Sequence, residues 1–197
     1  GRRLRPLTDD IPKPMVPIGG RPLMERIVEQ LREAGIRNIA VTTHYLSEKI
    51  VAHFGDGSRY GVDLTYVLEE RPLGTAGALS LIKAGDIPLL VINGDILTQV
   101  DFRAMLDFHR QHHADLTVAA RLYDVQVPYG IIEGEGAFVR SIQEKPLLKF
   151  MVNAGIYLLE SSAHRRVPAN QHFNMTDLIQ GLIAEGRPVV NFPLRDL

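Results

Sequence analysis

The sequence contains no cysteine and no tryptophan. Without thiols, a disulfide framework, a thiolate metal site and a cysteine nucleophile are all excluded, which fits a reducing, cytoplasmic setting. No apolar run approaches the roughly 20 residues that span a bilayer, and no charged-then-apolar leader precedes the first element, so a soluble chain without a membrane partner is expected. An excess of charge of one sign is also lacking: 22 Lys and Arg stand against 23 Asp and Glu, a formal net charge of −1. Such a balance provides no general field for nucleic acid, so a phosphate ligand must be held by a few locally placed cations. No G-x-S-x-G sequence is present, which removes support for serine-nucleophile hydrolysis. The 197 residues, 45% apolar and 23% charged, suit one globular domain. Gly1 stands in place of an initiator Met and Leu197 follows directly on an expected strand, so the segment reads as part of a larger polypeptide.

Hydrophobic spacing supplies the organisation. After a Pro-rich opening from Arg5 to Pro22, apolar residues from Leu23 to Ala34 recur at helical spacing, with Gly35 as a stop. The spacing then predicts a strand over 38–43, a helix over 47–54, a strand over 63–68, a helix over 75–84, a fully apolar strand over 88–93 and a helix over 101–113. Asp101 is the expected cap of the last helix. Buried strands alternating with helices imply a parallel sheet covered on both faces. After Ala114 the pattern becomes strands at 116–122, 130–133, 138–144 and 152–160 with turns between them, then a helix over 176–184 and a strand over 188–193. The expected fold is therefore α/β, a Rossmann-like three-layer sandwich with a mainly parallel sheet and an added antiparallel or mixed portion. One domain would cover 1–197, in two halves, 1–113 and 114–197. Ligands in such sheets sit at the carboxyl ends of strands.

Several groups of residues could carry chemistry there. Gly1-Arg2-Arg3-Leu4-Arg5 places three guanidiniums beside a glycine, which suits a triphosphate or equally a frayed basic terminus. Lys13, between Pro12 and Pro14, presents one ammonium from a stiff loop, unless it is merely an exposed turn residue. Asp95 follows the apolar 88–92 run and could hold Mg²⁺ against phosphate oxygens, the competing role being a turn or cap. Gly74-Thr75-Ala76-Gly77 is small enough for a ring or phosphate to approach its backbone, or for close helix-to-sheet packing. Glu144-Lys145 and Asn153 offer a carboxylate, an ammonium and an amide on neighbouring strands, the mixture a sugar phosphate needs, although adjacent Glu and Lys are also a common surface pair. His109 and His113 share one helix face, but no third ligand is suggested and the expectation is that the histidines are solvated.

Taken in order, these pieces resemble the sugar-1-phosphate nucleotidylyltransferase family, which opens with a G-x-G-T-R-L-x-P-L-T loop. The match begins at Gly1 and continues through Arg3, Leu4, Pro6, Leu7 and Thr8. Pro12-Lys13-Pro14-Met15, Leu73 to Ala78, Gly94-Asp95, Tyr129-Gly130, Glu144-Lys145-Pro146 and Asn153-Ala154-Gly155 follow in family order. The resemblance implies that Arg3 and Lys13 act on the triphosphate, with Gly1 in the same loop, and that Asp95 holds the catalytic Mg²⁺. It places Glu69, Gly74 and Thr75 at the base, and Gly130, Glu144, Lys145 and Asn153 at the sugar phosphate. The implied substrates are an NTP and a sugar 1-phosphate, with no nucleic acid. Homo-oligomerisation and a fused regulatory domain are compatible with it.

Three departures stand out. Arg2 occupies a place where the family usually has a small hydroxyl residue, the glycines expected just before Gly1 are not in the sequence, and the family's W-x-D-x-G segment, which carries a second metal-binding Asp, has no counterpart; Asp196 is not that residue. The 12–20, 73–78 and 93–97 stretches look most like guanylyltransferase-type members, mannose-1-phosphate guanylyltransferase-like and CBS-associated ones included. Glu69 agrees with GTP, because a carboxylate can accept from both N1–H and N2–H of guanine. Two rival readings are a non-catalytic regulatory subunit that binds a sugar nucleotide and a GT-A-type glycosyltransferase, although the latter commonly holds metal with D-x-D where this chain has Asn93-Gly94-Asp95.

Overall fold

A computed structural model describes residues 11–83, 85–96 and 99–194. A 3-10 turn at Lys13–Met15 leads to a small antiparallel pair, β1 (Pro17–Ile18) and β2 (Arg21–Pro22), and then to helix α1 (Leu23–Glu33). Helix α1 buries Leu23, Met24, Ile27, Val28 and Leu31 and closes on Gly35 at φ +91°, a left-handed cap that a side chain would strain. Strand β3 (Asn38–Thr43), α2 (Ser47–Phe54), β4 (Asp63–Leu68), α3 (Gly74–Gly77), β5 (Leu89–Ile92) and α4 (Phe102–Gln111) follow. Asp101 caps α4 as expected, its Oδ1 accepting from the amides of Arg103 and Ala104 at 3.0 Å each.

The expected 75–84 helix is reduced to the four-residue α3 and a 3-10 turn over Ala78–Leu81. Ser80 Oγ donates to the Gly77 carbonyl at 2.7 Å, taking an acceptor that a longer helix would use, and Ile82 is extended. The second half comprises β6 (Leu116–Gln126), β7 (Ile131–Glu135), β8 (Phe138–Gln143), β9 (Leu147–Leu159), α5 (Ser161–His164), α6 (Met175–Ala184) and β10 (Val189–Pro193).

Strand order in the larger sheet is β10-β6-β9-β5, with β10 parallel to β6 and the β6–β9 and β9–β5 pairs antiparallel. Strands β3 and β4 form a parallel pair, and β7 and β8 an antiparallel hairpin. The α/β class is as the spacing predicts, and the sheets are mixed. Strand β5 of the first half runs along β9 of the second, so the halves share one sheet. The β6–β9 pair is longer than its apolar patterning suggests: its outer part, from Arg121 and Val152 onward, pairs Leu122 with Met151 and Tyr123 with Phe150, all four exposed.

Two apolar layers cover the larger sheet. On one, Leu116, Tyr157 and Leu159 pack with Met175, Leu178 and Leu182 of α6. On the other, Ala119, Ile156 and Leu158 pack with Leu23, Ile27 and Leu31 of α1 and with Phe102 and Met105 of α4. Residues facing alternate sides of β9 therefore enter different cores, as the two-residue period of a strand requires.

His109 departs from the solvated placement expected of it. It is 1% exposed, with Nδ1 at 2.7 Å from Thr117 Oγ1 and Nε2 at 3.2 Å from Glu160 Oε1. Both ring nitrogens are thereby satisfied by protein groups, which is what makes a buried imidazole tolerable.

Candidate functional site

Strand β5 ends in the turn Asn93-Gly94-Asp95, where Ile96 N donates to the Asn93 carbonyl at 3.2 Å. The turn delivers Asp95 to solvent at a strand's carboxyl end. The Lys13 loop meets it there: Lys13 Nζ lies 2.9 Å from Asp95 Oδ2, across 82 residues of sequence. The loop is stiff, with Pro12 buried and a 3-10 turn closed by Met15 N donating to Pro12 O at 2.8 Å. Pro14 Cγ would lie 3.3 Å from a Cβ on Gly94, so the two loops are in contact. With side-chain exposures of 39% and 46%, this pair adds little to stability. Its value is placement, one cation and one anion side by side at a strand end.

Their neighbours Pro14 and Gly94 line a cleft of 350 Å³ that residues of α1, β3 and β5 also line. Its interior is apolar, with Ile39, Val41, Leu90 and Ile92 among the residues lining it, and its rim includes Pro14, Gly74, Thr75, Asn93 and Gly94. A triphosphate does not belong in an apolar interior. The charged groups here, Lys13 and Asp95, stand beside the rim rather than inside.

The Gly74–Thr75 loop is fastened at both ends. Glu69 Oε2 accepts from the Leu73 amide at 3.1 Å, and His44 Nδ1 lies 2.8 Å from the Glu69 carbonyl. One carboxylate oxygen of Glu69 thus has a structural duty alongside the base contact expected of it. Thr75 Oγ1 accepts from the Met175 amide at 2.9 Å. The nearest neighbour of each of Gly74 and Gly77 is a backbone atom: Cβ atoms there would lie 2.7 Å from Phe173 O and 2.5 Å from Gln171 O. These two glycines accommodate close packing.

Asn153 stands beside the same strand end. Its Oδ1 accepts from Gly155 N at 2.8 Å and its Nδ2 donates to the Tyr157 hydroxyl at 2.8 Å, while Gly155 O accepts from Asn93 N at 3.0 Å. Burial pushes the Tyr157 hydroxyl above its ordinary value, with the Asn153 bond acting the other way, so at neutral pH it is an uncharged partner. Gly130, Glu144 and Lys145 form a second group at the base of the β7–β8 hairpin. A Cβ on Gly130 would lie 3.1 Å from Glu144 Oε2, and Lys145, at φ +43°, has its carbonyl bonded by Gln126 Nε2. All three are exposed. Gly1 and Arg3 lie outside the described residues. Sequence reading named Gly155 only as the end of the Asn153-Ala154-Gly155 motif and missed Tyr157 and the 173–175 segment, since no local pattern distinguishes residues whose role comes from contacts across the sheet.

Asp95 is a single exposed carboxylate, and among the described residues no group of three or more His, Cys, Asp and Glu is arranged to hold a metal. Mg²⁺ commonly uses one or two carboxylates, with waters and substrate phosphates completing its shell. Asp95 fits an ion that arrives with a triphosphate.

A cation and a carboxylate thus meet at the carboxyl end of a strand in a mixed α/β sheet, with a small-residue loop on the rim, the position where such sheets commonly take ligands. The chain belongs to the nucleotidyl transferase family, which it matches over residues 1–197. It is 34% identical over 194 residues to a mannose-1-phosphate guanylyltransferase of Mycobacterium tuberculosis, covering 94% of this chain and 54% of that protein. It is 32% identical over 209 residues to a UTP–glucose-1-phosphate uridylyltransferase of Synechocystis, covering 95% of this chain and 54% of that protein. The chain therefore spans about half the length of these relatives. A putative glucose-1-phosphate thymidylyltransferase of Bacillus anthracis has the same fold, with a TM-score of 0.77 at 23% identity, covering 98% of this chain and 82% of that one.

Gly155 generates a direct test of the site's framework. It has φ +72°, and a Cβ would lie 2.4 Å from Ile96 Cδ1 and 2.6 Å from Asn93 Nδ2. Gly155→Ala is expected to cost at least ~1 kcal/mol in urea unfolding, from strain at a positive φ and displacement of the Asn93 turn. Unchanged stability would show that this close approach is absent in solution.

Proposed function

We propose that the full-length protein is a sugar-1-phosphate nucleotidylyltransferase, joining an NTP, GTP by preference, to a sugar 1-phosphate and releasing pyrophosphate. The observation that carries this reading is the Lys13–Asp95 pair, 2.9 Å apart beside the rim of the cleft. Family membership supports it, and the names of the mycobacterial and cyanobacterial relatives describe this reaction type with GTP and UTP respectively.

In the proposed reaction a phosphate oxygen of the sugar phosphate attacks the α-phosphorus in line. The bond from that phosphorus to the bridging oxygen breaks, and pyrophosphate leaves with the electron pair. Lys13, together with Arg3, neutralises charge on the triphosphate as it moves onto the leaving group. Asp95 would hold Mg²⁺, which would supply further neutralisation of the phosphates when bound. Glu69, Gly74 and Thr75 hold the base, while Gly130, Glu144, Lys145 and Asn153 hold the sugar phosphate, with Lys145 on its phosphate. Little covalent help is needed, because positioning and charge neutralisation supply most of the rate in such transfers. Lys13 bonds Oδ2 of Asp95, so an ion taken on Oδ1 would not require the pair to break. A sugar-nucleotide-binding regulatory subunit is the rival reading, separated from this one by whether pyrophosphate is released.

In the full-length protein, Asp95→Asn is expected to abolish Mg²⁺-dependent turnover while leaving circular dichroism and the unfolding midpoint unchanged. Near-normal pyrophosphate release from that variant would sink the metal assignment. The two lysines should separate by kinetic parameter: Lys145→Ala chiefly raises KM for the sugar phosphate, and Lys13→Ala chiefly lowers kcat. The reverse pattern would exchange their roles.

Competition between GTP and UTP tests the base. Wild type should favour GTP, and Glu69→Gln should reduce that preference by roughly ten- to a hundredfold, the worth of a charge-assisted hydrogen bond. Glutamine retains one acceptor oxygen for the Leu73 amide, so the loop is preserved while base reading is lost. A wild type that prefers UTP refutes the guanine assignment and leaves the transferase reading standing.

A further inference from the structure

The Gly74–Thr75 loop is held by a segment about a hundred residues later in the chain, none of whose residues 173–175 lines the cleft. Phe173 N donates to Leu73 O at 2.8 Å, and Phe173 O accepts from Ala76 N at 3.0 Å and Gly77 N at 2.9 Å. Met175 N donates to Thr75 Oγ1 at 2.9 Å, and Thr75 N donates to Asn174 Oδ1 at 3.4 Å, a long bond beside shorter ones. The contact leaves no room for a side chain at Gly74, where a Cβ would lie 2.8 Å from Asn174 Oδ1.

Asn174 has a second attachment. It opens α6 in a capping box with Asp177, whose Oδ2 accepts from the Asn174 amide at 2.9 Å. Helix α6 is in turn anchored by Met175, Leu178 and Leu182, each at most 2% exposed. Asn174 therefore links a well-buried helix to a loop whose own helical content is four residues, α3. A loop that short has no intrinsic stability. Its conformation depends on what it is fastened to, and a loop that must be ordered during binding reduces the affinity of its ligand.

We propose that Asn174 is a positioning residue for nucleotide binding, setting the Gly74–Thr75 loop from behind without touching the ligand. The proposal rests on the assignment of that loop to the nucleotide. Through Asn174, the half of the chain assigned to the sugar phosphate would control how well the other half receives the NTP.

The test uses the full-length protein with Asn174→Ser, Asn174→Ala and Asp177→Ala. Serine is a good helix cap but its hydroxyl is too short to reach Thr75, so it separates the two attachments. Asn174→Ser is expected to raise KM for the NTP about fivefold while KM for the sugar phosphate changes by less than about twofold, as weakened pre-organisation of one loop predicts. The Ala76 and Gly77 amides, which donate to Phe173, should exchange faster with deuterium in the nucleotide-free variant. Asn174→Ala should show the same KM split together with a lower unfolding midpoint, and Asp177→Ala a lower midpoint with an unchanged KM for the NTP. Wild-type KM and amide protection in Asn174→Ser would overturn the proposal. So would an equal rise in NTP KM from Asp177→Ala, because helix stability alone would then explain the effect. If wild type releases no pyrophosphate from any NTP, the functional reading fails separately; calorimetric GTP binding by wild type and Asn174→Ser then decides the positioning role, with equal affinities overturning it.

Discussion

The antiparallel pairing of β6 with β9 is the constraint on which the rest of this molecule depends. It carries β10 on one side and β5 on the other, joining residues of the first half to those of the second in one hydrogen-bonded sheet. Alternate residues of β9 enter opposite cores, Tyr157 and Leu159 toward α6, Ile156 and Leu158 toward α1 and α4. A register slip of one residue would exchange those sets and expose both cores' contacts at once. The register of β9 on its other neighbour, β5, fixes Gly155 against Asn93, and through it the turn that presents Asp95. The site's position is a consequence of how β9 is seated between its neighbours.

That dependence explains why the candidate residues come from distant parts of the sequence. Lys13 reaches Asp95 from a proline-bracketed loop, and the Gly74–Thr75 loop takes its shape from Phe173 to Met175. The elements themselves are ordinary. What makes a site of them is that stiff loops meet at the strand ends, where backbone groups are no longer committed to a ladder and side chains are free to face a ligand. The hairpin group around Glu144 and Lys145 differs in kind, being exposed at the base of an outlying pair of strands.

Much of the fold was legible because it rests on periodicity. The apolar residues of α1 at helical spacing, the continuous apolar run of β5 and the Asp101 cap all have local physical causes, and all reappear in the structure. The candidate site was legible as far as local stiffness and composition reach, which covers Lys13 between its prolines and Asp95 after its strand. Where contacts made elsewhere decide the outcome, the sequence was silent or misleading. The 75–84 segment has the composition of a helix, but close packing of Gly77 on Gln171 and the Ser80 bond back to Gly77 keep it short. His109 was expected in solvent because no third ligand accompanies it and Phe102, Met105 and Leu106 already supply a core face, and only the partners Thr117 and Glu160, on β6 and after β9, explain its burial.

The His109 arrangement bears on how this sequence can change over evolutionary time. An imidazole at 1% exposure and a threonine at 0% exposure satisfy each other, so neither can be replaced alone without stranding a buried polar group, a loss of about 1–3 kcal/mol. Replacing both with apolar residues of similar shape removes the need and the penalty together. Substitutions at positions 109 and 117 are therefore epistatic, each deleterious in the background where the other is tolerated. Glu160 is bound to the pair from one side only: half-exposed, it can turn to water once His109 is gone, but its own loss while His109 remains strands the buried Nε2.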